Sequence, residues 1–301
     1  MQKKRNVFFN NNKKHIYFIA ECSLLSVFNK KHKNNCQLSI VNCQLFPIFA
    51  AKIFLRKVNL IVEQGNTNLK VAVFDGDRLV VSSYYKDNND VSWVNEIFEQ
   101  YHPGKCIVSS VADMNDMLIN FLKDKSPYFL WLDEHTSVPI SIEYKTKNTL
   151  GKDRIAAVTG ANYLKPGQNI LVIDAGTAIT YEVLEMNGIY KGGNISPGMI
   201  TRFRSLNLLT KQLPLVDVSN EVPLIGTSTE SAILAGVVNG IIYEMDGYID
   251  TLKMKYGDVF VFLTGGHSFY FERRLKNRIF ANANLVLIGL NRILEYNAKK
   301  N

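Results

Sequence analysis

Three acidic residues stand where an acid could do chemistry. Glu63 follows the apolar run VNLIV and precedes Gly65-Asn66-Thr67, Asp174 ends NILVID and precedes Gly176-Thr177, and Asp153 with Arg154 heads the stretch KDRIAAVTGANYL. A strand that ends in a carboxylate can hold a cation or its water shell. A glycine two residues later lets the backbone turn so that consecutive N–H groups face an anion, and Thr or Asn side chains add donors. Each stretch alone also has a plain reading: Gly-Asn-Thr and Gly-Thr-Ala make ordinary hairpin turns, and an acid in a first helical turn complements the helix dipole.

Repetition favours the chemical reading. IVEQGNTNLKVAVFDGD (61–77) aligns without gaps on VIDAGTAITYEVLEMNG (172–188), and each copy reads strand, acid, turn, strand, hairpin. A duplicated hairpin implies two similar halves facing each other, with the phosphates of a nucleotide clasped between them. Neither GxxxxGK[ST] nor GxGxxG occurs, which excludes the P-loop and the dinucleotide fingerprint. LTGGH (263–267) ends an apolar run and precedes a helical pattern; Gly-Gly turns are common caps and loops, and the resemblance of the paired hairpins to two-domain ATPases implies that this one packs against adenosine.

These residues need strands and helices to hold them. Strand-like runs fall at 58–62, 69–74, 78–85, 106–111, 128–132, 169–174, 178–184 and 258–264, and helical periodicity at 91–101, 114–124, 152–164, 197–210, 228–256, 268–279 and 288–298. DGD (75–77) and MNG (186–188) read as hairpin turns. YKGGNISPGMI (190–200) reads as a strand, a Gly-rich turn and a Pro-led helix. In PLIGTSTESAILAGVVNGII (223–242), Ser228 or Thr229 caps a long helix whose face carries Ala232, Ala235, Gly236 and Gly240. Small residues at that spacing serve close helix packing or a subunit interface.

Charge divides the 301-residue chain unevenly. Residues 1–57 hold eleven Lys and Arg against Glu21, while 58–301 hold 24 basic and 26 acidic residues, so the overall net charge of +8 belongs to the first segment. A nucleic-acid partner is therefore not indicated for the rest. Cys22, Cys36 and Cys43 lie in the first segment and Cys106 alone in the remainder, which argues for a reducing compartment and against a disulfide framework. The apolar stretch 16–28 contains Glu21 and has no small-residue cleavage site, a poor membrane span or signal peptide. NCQLSIV followed directly by NCQLF, beside Asn/Lys tracts, has neither helical nor strand logic. Residues 1–57 read as a basic N-terminal extension, disordered or from a mis-assigned start, with Val58 the expected first residue. Residues 58–150 and 151–301 read as the two halves.

The hairpins resemble those of the actin/hexokinase-type ATPases. Six stretches in order, VEQGNTNLK, Tyr144 through Gly151-Lys152-Asp153-Arg154, VIDAGTAIT, GGNISPG, IGTSTESAILAG and LTGG, resemble the type III pantothenate kinases, the family that includes the Bvg accessory factor proteins. The resemblance spans nearly all of 58–301. It implies an α/β fold of two ribonuclease H-like (actin-like ATPase) halves, each a mixed five-stranded sheet flanked by helices, with the nucleotide in the cleft between them. It implies ATP-dependent phosphorylation of pantothenate to 4′-phosphopantothenate, the first step of coenzyme A synthesis, in a cytoplasmic homodimer with pantothenate near the interface and no membrane partner. Asp153 would be the proton acceptor, and Tyr144, Gly151, Lys152, Asp153, Arg154 and Thr229 would contact pantothenate, Arg154 holding its carboxylate through a bidentate pair. Glu63, Gln64, Gly65, Asn66, Thr67, Asn68, Leu69 and Lys70 would cradle the phosphates of ATP, with Thr177. Asp174 would bind a monovalent cation, K⁺ or NH₄⁺, beside Mg²⁺ carried with ATP. Three positions depart from the family: Glu63 replaces a usual Asp, Lys147 a frequent Pro, and Thr227 a basic or polar residue. Another small-molecule kinase of the superfamily would share the hairpins without needing Tyr144 to Arg154, and a nucleotide-binding regulator would have no use for Asp153.

Overall fold

The computed structural model describes residues 58–65, 68–85 and 92–300. The expectations for residues 1–57 and for Asn66 and Thr67 lie outside them. In chain order the elements are β1 (Asn59–Gln64), β2 (Leu69–Asp75), β3 (Arg78–Tyr85), α1 (Ser92–Tyr101), β4 (Lys105–Ser110), α2 (Asp116–Lys125), β5 (Tyr128–Trp131) and β6 (Ser141–Ile142). There follow α3 (Lys152–Leu164), β7 (Asn169–Ala175), β8 (Ala178–Leu184), β9 (Ile189–Pro197), α4 (Met199–Leu209), α5 (Thr229–Tyr256), β10 (Val259–Thr264), α6 (Ser268–Glu272), β11 (Phe280–Ala281) and α7 (Leu285–Ala298).

The first sheet has the order β3-β2-β1-β4-β5 and the second β11-β10-β7-β8-β9-β6. Without β6, the second repeats the first: an antiparallel three-strand meander followed by parallel strands on its inner edge. The expected mixed five-stranded sheet is therefore present in the first half, and in the second it gains a sixth strand where β6 pairs with β9.

The two copies are not gapless in space. Glu63 pairs with Lys70 across the first hairpin, whereas Asp174 pairs with Thr180 across the second. The second turn is one residue tighter, so Thr180 rather than Tyr181 occupies the place of Lys70. The irregularity in register between Val73 and Phe74 recurs between Val183 and Leu184.

The central strands are apolar throughout because both faces are buried. Ile61 and Ile107 of the first sheet and Ile170, Val172 and Phe262 of the second face a shared core filled by α3 and α7. Leu60, Val62, Cys106 and Val108 face the opposite way, against α1 and α2. Leu171, Ile173 and Val261 face α4 and α5. The result is a layered stack with α3 and α7 between the sheets. These two helices cross so closely that a Cβ on Gly289 would lie 2.6 Å from the Ala156 carbonyl carbon and 2.9 Å from the Gly160 nitrogen. Every residue of α3 from Arg154 to Ala161 is buried, which a helix sandwiched on all sides requires.

Two expectations for the elements are corrected. The Gly-rich turn of YKGGNISPGMI is part of strand β9, which runs on to Pro197. The helix expected over 268–279 ends at Glu272, because the backbone N–H groups of Lys276 and Asn277 donate to the Asp246 carboxylate on α5 and draw the chain out of helical register. Of the two caps expected for α5, Ser228 takes the role, with Ser231 completing a reciprocal capping box.

Candidate active site

The ends of β1, β7 and β10 and the start of α3 carry the site. At the end of β1, Glu63 is 5% exposed and its Oε2 lies 3.0 Å from Lys70 Nζ across the hairpin. Burial works against the Lys70 ammonium, but the Glu63 carboxylate, helped by Asp174, outweighs it and holds Lys70 above the ordinary lysine value. Gly65 donates to the Asn68 carbonyl (3.0 Å), closing the turn. Gln64 turns its amide onto the Gly65 carbonyl. The Leu69 side chain is buried in the outer core of the first sheet, so it can offer phosphates only its backbone.

Asp174 occupies the corresponding end of β7. Loss of water around its carboxyl pushes it up to about 7; Lys70 opposes this, while Asp153, Glu63 and Glu182 add to it. Lys70 therefore feels both Glu63 and Asp174, and Asp174 also feels Asp153 and Glu182. The LTGG turn fixes Asp174 in place. Gly265 has φ +91°, and a Cβ there would collide with Asp174 Oδ1 and lie 2.6 Å from the Ala175 carbonyl carbon. His267 closes the same turn by donating its backbone N–H to the Ala175 carbonyl. Gly266 faces open space, so only the second glycine is free for a base or ribose to approach. Thr177 is exposed; its carbonyl accepts from the Gly198 N–H and the Thr201 hydroxyl.

Asp153 lies in the first turn of α3, capped by Gly151. Its Oδ1 accepts the Arg154 N–H at 2.8 Å, and the carboxylate folds back over Gly151, where a Cβ would collide with it. Lys152 reaches toward Glu134 (3.8 Å). The side chain of Arg154 points into the protein: Nε donates to Glu182 Oε1 (2.6 Å), and Nη2 to Glu182 Oε2 (2.8 Å) and to the Tyr190 hydroxyl (3.1 Å). The bidentate edge expected to hold a substrate carboxylate is thus filled internally, which leaves Nη1 outside the pairing. Tyr144 lies against this group, its ring centroid 5.7 Å from the guanidinium carbon and 6.3 Å from the Tyr190 ring.

Thr229 is elsewhere. It is exposed and lines a groove of about 650 Å³ between α4 and α5 with Arg202, Leu206, Ile233 and Gly236. A Cβ on Gly236 or Gly240 would meet nothing within 4 Å, so no other helix among the described residues packs on those two glycines.

Glu182 and Tyr190 were missed by the sequence reading. The signal was present: an acid in the middle of the apolar strand AITYEVL, fully buried in the fold, has to be paired.

Two mixed sheets of matching strand order, each with an acid-tipped hairpin, enclose the helix that carries Asp153, the two-halved α/β architecture that the sequence resemblance implies. A sequence model described as type III pantothenate kinase matches residues 59–251. The type III pantothenate kinase of Phocaeicola vulgatus is 46% identical over 242 residues, covering 80% of this chain and 100% of its own. That of Bacteroides fragilis strain YCH46 is 48% identical over 240 residues, covering 80% and 98%. The chain belongs to the type III pantothenate kinase family. Among solved structures, a Baf family protein from Campylobacter jejuni shares the fold, with a TM-score of 0.51 and 23% identity over 80% of this chain and 99% of its own.

Proposed function

We propose that the protein transfers the γ-phosphoryl group of ATP to the primary hydroxyl of pantothenate, giving 4′-phosphopantothenate and ADP, the first step of coenzyme A synthesis. Family membership supports the two substrates. The observation that carries the site is the matched pair of acid-tipped hairpins, with Glu63 held by Lys70 at the end of β1 and Asp174 at the same place on β7, together with Asp153 in the first turn of α3.

Asp153 accepts the proton of the pantothenate hydroxyl as that oxygen attacks the phosphoryl group. Phosphoryl transfer asks mainly for positioning and charge compensation. Lys70 and the turn N–H groups of residues 63–70 face the phosphates of ATP, and Thr177 meets them from the second hairpin. The open side of Gly266 admits adenosine. Arg154 meets the pantothenate carboxylate through Nη1, with Tyr144, Gly151 and Lys152 completing the pocket.

Among the described residues no group of three His, Cys, Asp or Glu side chains forms a metal cage. Mg²⁺ bound with a nucleotide uses one or two carboxylates, phosphate oxygens and water instead, and Glu63 and Asp174 fit that donor set. Crowding of negative charge around Asp174 also suits a monovalent cation, K⁺ or NH₄⁺. Such cations offset charge on the transferred group.

The protein acts as a homodimer. Leu208 (78% exposed) and Leu209 (84%) at the end of α4, and Leu224 (75%) and Ile225 (77%) in the chain leading into α5, are exposed apolar side chains, and Thr229 at the start of α5 is the pantothenate contact that depends on the second copy. ATP and pantothenate place the reaction in the cytoplasm. No helix among the described residues is long and apolar enough to cross a membrane.

Incubation of the folded full chain with pantothenate, ATP, Mg²⁺ and K⁺, followed by mass spectrometry, is expected to show 4′-phosphopantothenate. Its absence would overturn the assignment.

A further inference from the structure

The buried acid of β8 has no part in phosphoryl transfer as described above, yet the surrounding structure is built around it. Glu182 is fully buried and takes the Nε/Nη2 edge of Arg154 at 2.6 and 2.8 Å. The hydroxyl of Tyr190, also fully buried, donates to Glu182 Oε2 and accepts from Arg154 Nη2, closing a three-membered ring of hydrogen bonds. Of the two glycines of GGNISPG, Gly193 makes room for Glu182 and Gly192 for the Tyr144 ring that lies against Arg154. A Cβ on Gly193 would collide with the Glu182 carboxylate and lie 2.9 Å from its Cδ. A Cβ on Gly192, whose φ is +107°, would press against the Tyr144 ring at 3.3 Å.

We infer that Glu182 is a positioning residue for the acceptor substrate: with Tyr190 it locks the Arg154 guanidinium by its inner edge, so that only Nη1 is presented to a carboxylate beside Asp153. This rests on the reading of Asp153 and Arg154 as the pantothenate site. A guanidinium held by a buried carboxylate cannot swing to pair side-on, so it receives the substrate carboxylate end-on and fixes the distance from that carboxylate to the reacting hydroxyl. Arg is suited to this because its planar fork can serve two partners on different edges at once. A pair serving only to fasten α3 to β8 would affect all substrates alike. A positioning pair affects the carboxylate-bearing one.

The test is steady-state kinetics of the full-length wild type, Glu182→Gln and Tyr190→Phe, with pantothenate, with pantothenyl alcohol (which has a hydroxyl in place of the carboxylate) and with varied ATP. Glu182→Gln is expected to raise the KM for pantothenate about tenfold and Tyr190→Phe about threefold, the size of weakening a charge-assisted contact. The KM for ATP should stay within about twofold, and preference for pantothenate over the alcohol should fall by the same factor as pantothenate binding. If Glu182→Gln does not fold by thermal melting, Tyr190→Phe, which removes a single hydroxyl, decides. Equal losses on both acceptors, or an unchanged KM for pantothenate, overturn the inference and leave the activity standing. A wild type inactive on pantothenate overturns the functional reading and this inference with it.

Discussion

Glu63 and Lys70 are register partners across the first hairpin, and their charged ends stand 3.0 Å apart at the end of β1. The lysine also feels Asp174, the acid at the matching end of β7. The second hairpin has Thr180 at the matching place, so the duplicated device is electrically asymmetric. Lys70→Met should therefore leave the acids uncompensated and lower kcat/KM for ATP about a hundredfold, with Lys70→Arg retaining most activity. Equal activity of Lys70→Met and wild type would remove Lys70 from the phosphate site.

Glu63 departs by one methylene from the Asp usual in the family. Glu63→Asp shortens the reach to Lys70 without changing charge, and turnover should remain within about tenfold of wild type. Complete loss would show that the hairpin has been rebuilt around the longer acid.

Asp174 links the site to stability. Its folded value of about 7 lies above the unfolded 3.8, so between those values the folded chain holds a proton that the unfolded chain has released. The stability from this group is full below pH 3.8, falls as pH rises through that window and is gone above 7. In cation-free buffer the melting temperature of wild type should drop more from pH 5 to 8 than that of Asp174→Asn. Parallel curves would place the charge elsewhere.

The two glycines of LTGG separate structure from binding. Gly265→Ala adds a Cβ at positive φ onto the Asp174–Ala175 strand end and should cost about 2 kcal/mol or more. Gly266→Ala enters open space and should leave stability within about 0.5 kcal/mol while raising the KM for ATP. Thermal unfolding and ATP titration check both. A stability loss at Gly266 equal to that at Gly265 would refute the division.

Much of this was legible from sequence because both central strands are buried on both faces and the hairpins repeat. The α3 boundaries, 152–164, emerged from helical periodicity alone. What was not legible depended on tertiary partners. Arg154 was expected to face substrate with its fork, since nothing local reveals that Glu182, on another element, fills it. Gly192 and Gly193 looked like a turn because glycine signals backbone freedom; here Gly192 uses that freedom within β9, at φ +107° beside the register irregularity, and Gly193 clears space for Glu182. The one-residue slip between Lys70 and Thr180 is invisible in a gapless alignment because turn length is set by strand pairing. The end of α6 at Glu272 is decided by Asp246 on α5.

The most direct measurement compares Asp153→Asn with wild type in pantothenate turnover and ATP binding. Asparagine keeps the Oδ1 that accepts the Arg154 N–H but cannot take up the hydroxyl proton. Turnover should fall about a hundredfold or more, with ATP affinity within about twofold of wild type, since Asp153 meets the acceptor and not the nucleotide. A variant with near wild-type kcat would show that the proton acceptor lies elsewhere and contradict the account at its centre.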